Sequence, residues 1–272
     1  MTLRGKFWDS LVRMDLQHLV FNFFFYLAGG TFISLGFLKQ TSVGSRYFIY
    51  HGGGAFVIAL CNYLFVGKSH LSRDASLWYL AFTVFCLIFS FTVTKFRKTS
   101  IVSYFMGTLC VLAAVIINGL DSAPPMQAYP FVINALLSTL LLGFTLNAMM
   151  LGHWYLIQPD LPIIELRRLT LLMLILMGVR LLYSVYPIQA ILGDKTEAEI
   201  YHYLLSTSSG IFLLMRFTWG TIAPLVFGFL VWKTVKISST QSATGILYVA
   251  VLSVITGEIL SLYLSQYHGI SL

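Results

Sequence analysis

Charge is the scarcest property of this sequence. Asp, Glu, Lys and Arg together make up 10% of its 272 residues, where a soluble domain carries roughly 25%. That shortage excludes an ordinary soluble globular fold. Cysteine is also sparse: Cys61, Cys86 and Cys110 each lie inside an apolar run, without the CxxC or Cys/His spacing of a metal site or redox pair. Buried apolar packing is expected for all three. Catalytic templates are missing too, with no GxSxG, no HExxH, no Walker loop and no carboxylate pair within one span. No linker is long enough to divide the chain into soluble domains, and no internal repeat is legible by inspection.

What fills the sequence is apolar length. Hydrophobic residues are 58% of the chain and the mean hydropathy is +0.83. A hydrocarbon core about 30 Å thick takes about 20 apolar residues per helix, and helices or closed barrels alone satisfy their backbone there. Uninterrupted runs rather than alternating short strands select helices. Eight runs qualify, at about 17–38, 49–67, 75–94, 101–120, 130–152, 167–187, 207–232 and 243–267. The expected fold is therefore an all-α, multi-pass bundle in the inner (plasma) membrane, with residues 17–272 as one transmembrane domain. Before it, Leu3, Phe7, Leu11 and Met14 recur at helical spacing among Arg4, Lys6 and Arg13, which predicts an amphipathic interfacial segment over 1–16 rather than a cleaved signal peptide.

The formal charge of +7 invites a nucleic-acid reading, yet no nucleic-acid module is present. The basic residues fall in short clusters between apolar runs, the pattern of topology signals and lipid-headgroup contacts. Loops one, three, five and seven hold Lys39, Arg46, Lys95, Arg97, Lys98, Arg167, Arg168, Lys233 and Lys236, against Lys68, Arg73 and Lys195 in the even loops. The positive-inside rule puts the odd loops in the cytoplasm, while the basic N-terminal segment pulls the other way.

Three ionisable side chains stand inside predicted spans, where charge is costly and a functional site is the default hypothesis. These are Arg180 in LMGVRLLYSVY, Arg216 in LLMRFTWG and Glu258 in VITGEILSLYL. Spans alternate in direction, so the end of the sixth, the start of the seventh and the end of the eighth share one membrane side. At 1.5 Å rise per residue the three charges lie about 10–15 Å below that surface and are placed to meet. Arg216 and Glu258 form the natural ion pair, Ser261 and Ser265 continue the Glu258 face, and Arg180 is left to hold an anionic or carbonyl-bearing ligand. The competing reading is that the charges only fasten three helices. Pro224, two turns beyond Arg216, is expected to kink the seventh span.

His51, beside Gly52, Gly53 and Gly54, and His153 in LGHWYL share the opposite membrane side. Two histidines on different helices at similar depth can ligate a b-type haem, and the glycines would admit a macrocycle or a close helix. Against this, Trp154 and Tyr155 are interface-belt residues, and Pro159 and Pro162 end the helix. His18, His70, His202 and His268 sit at span ends or in loops on the other side, where they could support a second site. The small-residue runs LAGGTFISLG and TSSG read as close helix packing.

The eight-span count and the last span, with Gly257 and Glu258 in SVITGEILSLYL, resemble the membrane subunits of polysulfide-reductase-type molybdoenzyme complexes. That resemblance implies two four-helix bundles, electron exchange with quinone, no obligatory haem, and Glu258 as a quinone-side proton group. The reading reached is a membrane subunit of an electron-transfer system, binding quinone, b-type haem or both, and working with other subunits or a soluble redox partner. Arg180, Arg216, Ser261 and Glu258 would form its polar site, with His51 and His153 as haem ligands. A transporter or channel for a small anionic or lipid-like substrate, and a structural or assembly subunit, are the alternatives.

Overall fold

The computed structural model describes residues 16–67, 71–124, 127–158 and 160–272. Leu16 apart, the interfacial segment expected at the N-terminus lies outside the described residues, as do Lys68, His70 and Pro159. Every element among the described residues is helical. Eight helices are long and apolar enough to cross a membrane: Leu16–Leu35, Ser45–Val66, Arg73–Thr92, Arg97–Asp121, Ala128–Ile157, Ile164–Leu192, Ser208–Lys236 and Thr240–His268. Each coincides with one of the eight apolar runs. The chain is a multi-pass membrane protein with its apolar surface turned to lipid.

Local chemistry ends these spans. The Ser72 hydroxyl accepts the Ala75 N–H at 3.3 Å and opens the third span, with Asp74 in its first turn. Gly44, at φ 90°, separates the short helix Gln40–Val43 from the second span. Gly269, at φ 64°, closes the eighth and turns residues 270–272 back into the bundle, where Ser271 and Leu272 are buried.

The first four spans form one four-helix group, in which the first packs on the second, the second on the third, the third on the fourth and the fourth on the first. Spans five to eight repeat this ring. Between the groups the first span packs on the fifth, the fourth on the fifth and the eighth on the first. Exchanging each span with the one four places later maps this set of pairings onto itself. Such spans run in the same direction, so the two halves are related by a pseudo-twofold axis along the membrane normal.

The axis passes where the first and fifth spans touch. A Cβ on Gly30 or Gly143 would run into the backbone of the other helix, so only glycine permits this crossing. The correspondence reaches single residues. Phe21 lies nine residues before Gly30 as Asn134 lies nine before Gly143. Asn62, near the end of the second span, donates to the Phe21 carbonyl at 3.0 Å, and Arg180, near the end of the long helix of the sixth, donates to the Asn134 side chain. In the first half this position is an aromatic box, with Phe25 edge-on to Tyr79 at 4.7 Å and Phe21 and Phe82 around them. In the second half it holds the charges.

At the membrane end of the odd loops the halves are tied by polar bonds. The Lys39 N–H reaches Glu165 Oε2 at 3.3 Å, Arg168 donates to the same oxygen and to the Phe37 carbonyl, and Tyr47 Oη donates to Asn147 Oδ1 at 3.1 Å.

Two expectations are corrected. Cys61 faces outward, while Cys86 and Cys110 are buried, because apolar surface is as acceptable to lipid as to a core. Of the three glycines after His51, only Gly52 is pressed on a neighbour, against Phe89 and Ser90; Cβ atoms on Gly53 and Gly54 would meet open space. The seventh span departs from α-helix in a π-helical turn at Thr218–Ile222, just before Pro224.

Candidate functional site: a buried ionic cluster and the cavity beside it

Arg180, Arg216 and Glu258 meet. Glu258 Oε2 accepts from Arg180 Nη2 at 3.0 Å and Oε1 from Arg216 Nη2 at 3.3 Å, with all three residues at most 4% exposed. The expectation that Arg180 lacks a carboxylate partner is therefore corrected: one carboxylate serves both arginines. The rotational phase of the sixth helix turns Arg180 inward beside Glu258, and spacing alone does not fix that phase.

Each charge is held by neutral neighbours. Ser138 Oγ donates to Glu258 Oε2 at 2.5 Å, and Arg180 also donates to Asn134, to Ser261 Oγ at 3.0 Å and to the Leu272 backbone oxygen at 3.2 Å. Desolvated charge at this depth is tolerable only with such a full set of partners. Arg180 Nε alone has none. Ser265 supports the arrangement indirectly, its hydroxyl accepting the Leu272 N–H at 2.9 Å.

Arg216 owes its position to Pro224. A proline cannot donate the N–H that would reach the carbonyl four residues back, and that carbonyl belongs to Gly220. Arg216 Nη1 donates to it instead, at 2.9 Å, and to Thr221 Oγ1 at 3.1 Å. Gly220 also meets Gly257 of the eighth span so closely that a Cβ on either would strike the other residue's backbone. The Gly-Glu pair thus has a physical basis: Gly257 brings the seventh span close enough for Glu258 to reach Arg216.

No ligand-sized space exists within the cluster. A void of about 10 Å³ lined by Arg180, Arg216, Thr221 and Leu272 accommodates at most about one water. Beyond Asn134, however, lies a cavity of about 170 Å³ between the halves. His18, Asn22 and Tyr26 of the first span, Asn134 of the fifth and Ser265 and Gln266 at the end of the eighth line it. A hydrogen-bonded row runs along its wall: Asn118 Nδ2 donates to Asn22 Oδ1 at 2.9 Å, Asn22 Nδ2 lies 3.2 Å from His18 Nε2, and Gln266 Nε2 lies 3.0 Å from His18 Nδ1. Asn134 joins the two sites, since it lines the cavity and accepts from Arg180. Asn134, Ser138 and the cavity residues other than His18 and Ser265 escaped the sequence reading, because neutral amides and hydroxyls within spans carry no distinctive signal.

The other histidines lie elsewhere. His51 stacks on Tyr47 with ring centroids 3.8 Å apart, and its Nδ1 lies 2.8 Å from the Tyr47 carbonyl oxygen. His153 is exposed on the fifth span, 3.4 Å from Tyr248 Oη. Trp154 packs edge-on against Tyr47 and Tyr50 at this end. His268 bonds Tyr203 Oη at 3.0 Å, whereas His202 is exposed. No group of three or more metal-ligating side chains is found among the described residues. No protein-family model, no curated protein and no solved structure matches the chain.

Proposed function

We propose that this chain is a membrane subunit of an electron-transfer system and that the cavity between its halves takes the head group of a quinone. The observation that carries the reading is a ring-sized cavity, apolar over most of its surface and edged by amides and His18, whose wall residue Asn134 is bonded to a buried arginine–carboxylate cluster. A quinone carbonyl needs donors at interfacial depth, which the amides and His18 supply, and reduction to quinol takes up two protons along with two electrons. Glu258, coupled to Asn134 through Arg180, is the proton-exchanging group of this reading, and a soluble redox protein docked on an exposed loop surface is the electron source. The two four-helix groups are the architecture expected of the resembled subunits.

Haem enters this reading through His51 and His153, which would ligate it. A reduced-minus-oxidised spectrum of the purified protein tests it: α and Soret bands lost in His153→Ala establish the ligand, and a featureless spectrum removes haem. For the quinone, binding of a short-chain ubiquinone analogue to the detergent-purified protein is measured by fluorescence quenching. Saturable binding weakened about tenfold by His18→Leu, at unchanged thermal stability, is expected. Binding that fails to saturate in folded protein overturns the reading.

One observation favours a second reading. A cavity between two pseudo-equivalent halves is the geometry of transporters built from parallel repeats. A small carboxylate or lipid-like substrate would then occupy the same space.

A further inference from the structure

Arg180 is held by two kinds of partner. Asn134 and Ser138 reach it from the fifth span and Glu258 and Ser261 from the eighth, all on helices fixed by packing. The Leu272 backbone oxygen reaches it from residues 270–272, which lie beyond the eighth helix and in no regular element. That oxygen also accepts from Ser261 Oγ, while the Leu272 N–H donates to Ser265 Oγ at 2.9 Å. Ser271 Oγ, 2.7 Å from Tyr183 Oη, anchors the segment further. A carbonyl of a bound molecule could accept from the same two donors, because a guanidinium and a hydroxyl recognise the oxygen and not the chain behind it. Arg180 Nε, buried and without an acceptor among the described residues, is one donor more at this place.

The segment runs from one space to the other. Gly269 lines the cavity of about 170 Å³, and Leu272 lines the void of about 10 Å³ at the cluster. Ser265 has a part in both, lining the cavity and accepting from Leu272. Gly269, at φ 64°, supplies the backbone freedom on which residues 270–272 turn. A guanidinium keeps its protons, so the Arg180–Asn134 bond couples cavity and cluster without carrying a proton. A head group that exchanges protons at Glu258 therefore has to come nearer than Asn134, into the space that Leu272 fills. We infer that Arg180 and Ser261 form a carbonyl subsite, that the Leu272 backbone carbonyl occupies it in this structure, and that a carbonyl of the quinone head group takes its place as residues 270–272 swing out about Gly269. The subsite rests on the head-group reading above and extends it to the atoms that meet the second oxygen of the ring.

Hydrogen–deuterium exchange on the intact, detergent-purified protein tests this, read on the peptide carrying residues 269–272 with and without a saturating short-chain ubiquinone analogue. A ligand ordinarily slows exchange where it binds, by stabilising the native state. Here the Leu272 N–H leaves Ser265, so exchange of this peptide is expected to rise at least about threefold while that of the cavity-lining spans falls. Ser271→Ala removes the bond to Tyr183 and touches no atom of the subsite. By easing displacement it is expected to tighten binding of the analogue about threefold, the factor carried by a typical hydrogen bond between neutral side chains in a membrane protein. Saturable binding that slows exchange of the segment or leaves it unchanged overturns the subsite and leaves the head-group reading standing, as does an affinity indifferent to Ser271→Ala. Binding that saturates in neither protein overturns both.

Discussion

Ser34 and Asn147 occupy corresponding positions, each four residues beyond the glycine at which the first and fifth spans cross, and they hydrogen-bond one another across the pseudo-twofold axis. Asn147 Nδ2 also reaches the Thr31 carbonyl at 2.9 Å, and Ser34 Oγ lies 3.4 Å from that of Gly143. Asn147→Leu removes one hydrogen bond each from Ser34, the Thr31 carbonyl and Tyr47 and is expected to cost about 1–2 kcal/mol, against a few tenths for Ser34→Ala. Thermal unfolding in detergent measures both, and equal effects would contradict the shared network.

Glu258 is the common partner of two arginines, so its loss is the most damaging single change in the cluster. Glu258→Leu strands both guanidinium groups and is expected to cost about 3–5 kcal/mol. Arg216→Met keeps the Arg180–Glu258 pair and is milder. Adding Arg216→Met to Glu258→Leu then restores part of the lost stability, which accumulation and melting of the four proteins would show; strict additivity of the two changes argues against a shared partner.

Glycine contacts set where the helices cross. Gly30→Val, Gly143→Val, Gly220→Val and Gly257→Val each drive a side chain into backbone and are expected to abolish accumulation of folded protein, whereas Gly53→Val, facing open space, leaves it unchanged. Fluorescence-detected size exclusion ranks them in one experiment.

Outside the membrane, the short helix Glu197–Ser206 opens with a capping box in which Glu199 Oε2 accepts the Thr196 N–H and hydroxyl, both at 2.9 Å. These bonds, the backbone one first, hold the Glu199 carboxyl below the usual carboxylate range. A depressed folded pKa means that the carboxylate stabilises this helix above the unfolded pKa and that the contribution disappears as pH falls through the folded one. The Glu199 carbonyl shift in an NMR titration should turn below that of a model peptide, and Thr196→Ala should bring the two together.

The eight spans were legible because they rest on summed apolar length, which tolerates any single exception. The meeting of Arg180, Arg216 and Glu258 was legible from the alternation of span direction, since charges stand out against apolar sequence. The pairing within the cluster was not, because it depends on rotation of the sixth helix about its own axis. The repeat escaped notice for a different reason. Its two halves conserve helix order, crossing and hydrogen-bond placement, while Phe21 faces Asn134 and Asn62 faces Arg180 in the correspondence, exchanges of side-chain chemistry that leave no shared motif.

Two equivalent four-helix units held in a single polypeptide are freed from a constraint that governs symmetric dimers. In a dimer of identical chains, every substitution is made twice, so an ionic cluster in one subunit obliges the membrane to accommodate a second. Here the desolvated charges occur once, opposite an uncharged aromatic box whose Tyr79 hydroxyl is met by Asn62 and the Ala59 carbonyl. One half supplies a rigid wall and the other a reactive one, a division of labour open only to a pair whose members mutate separately.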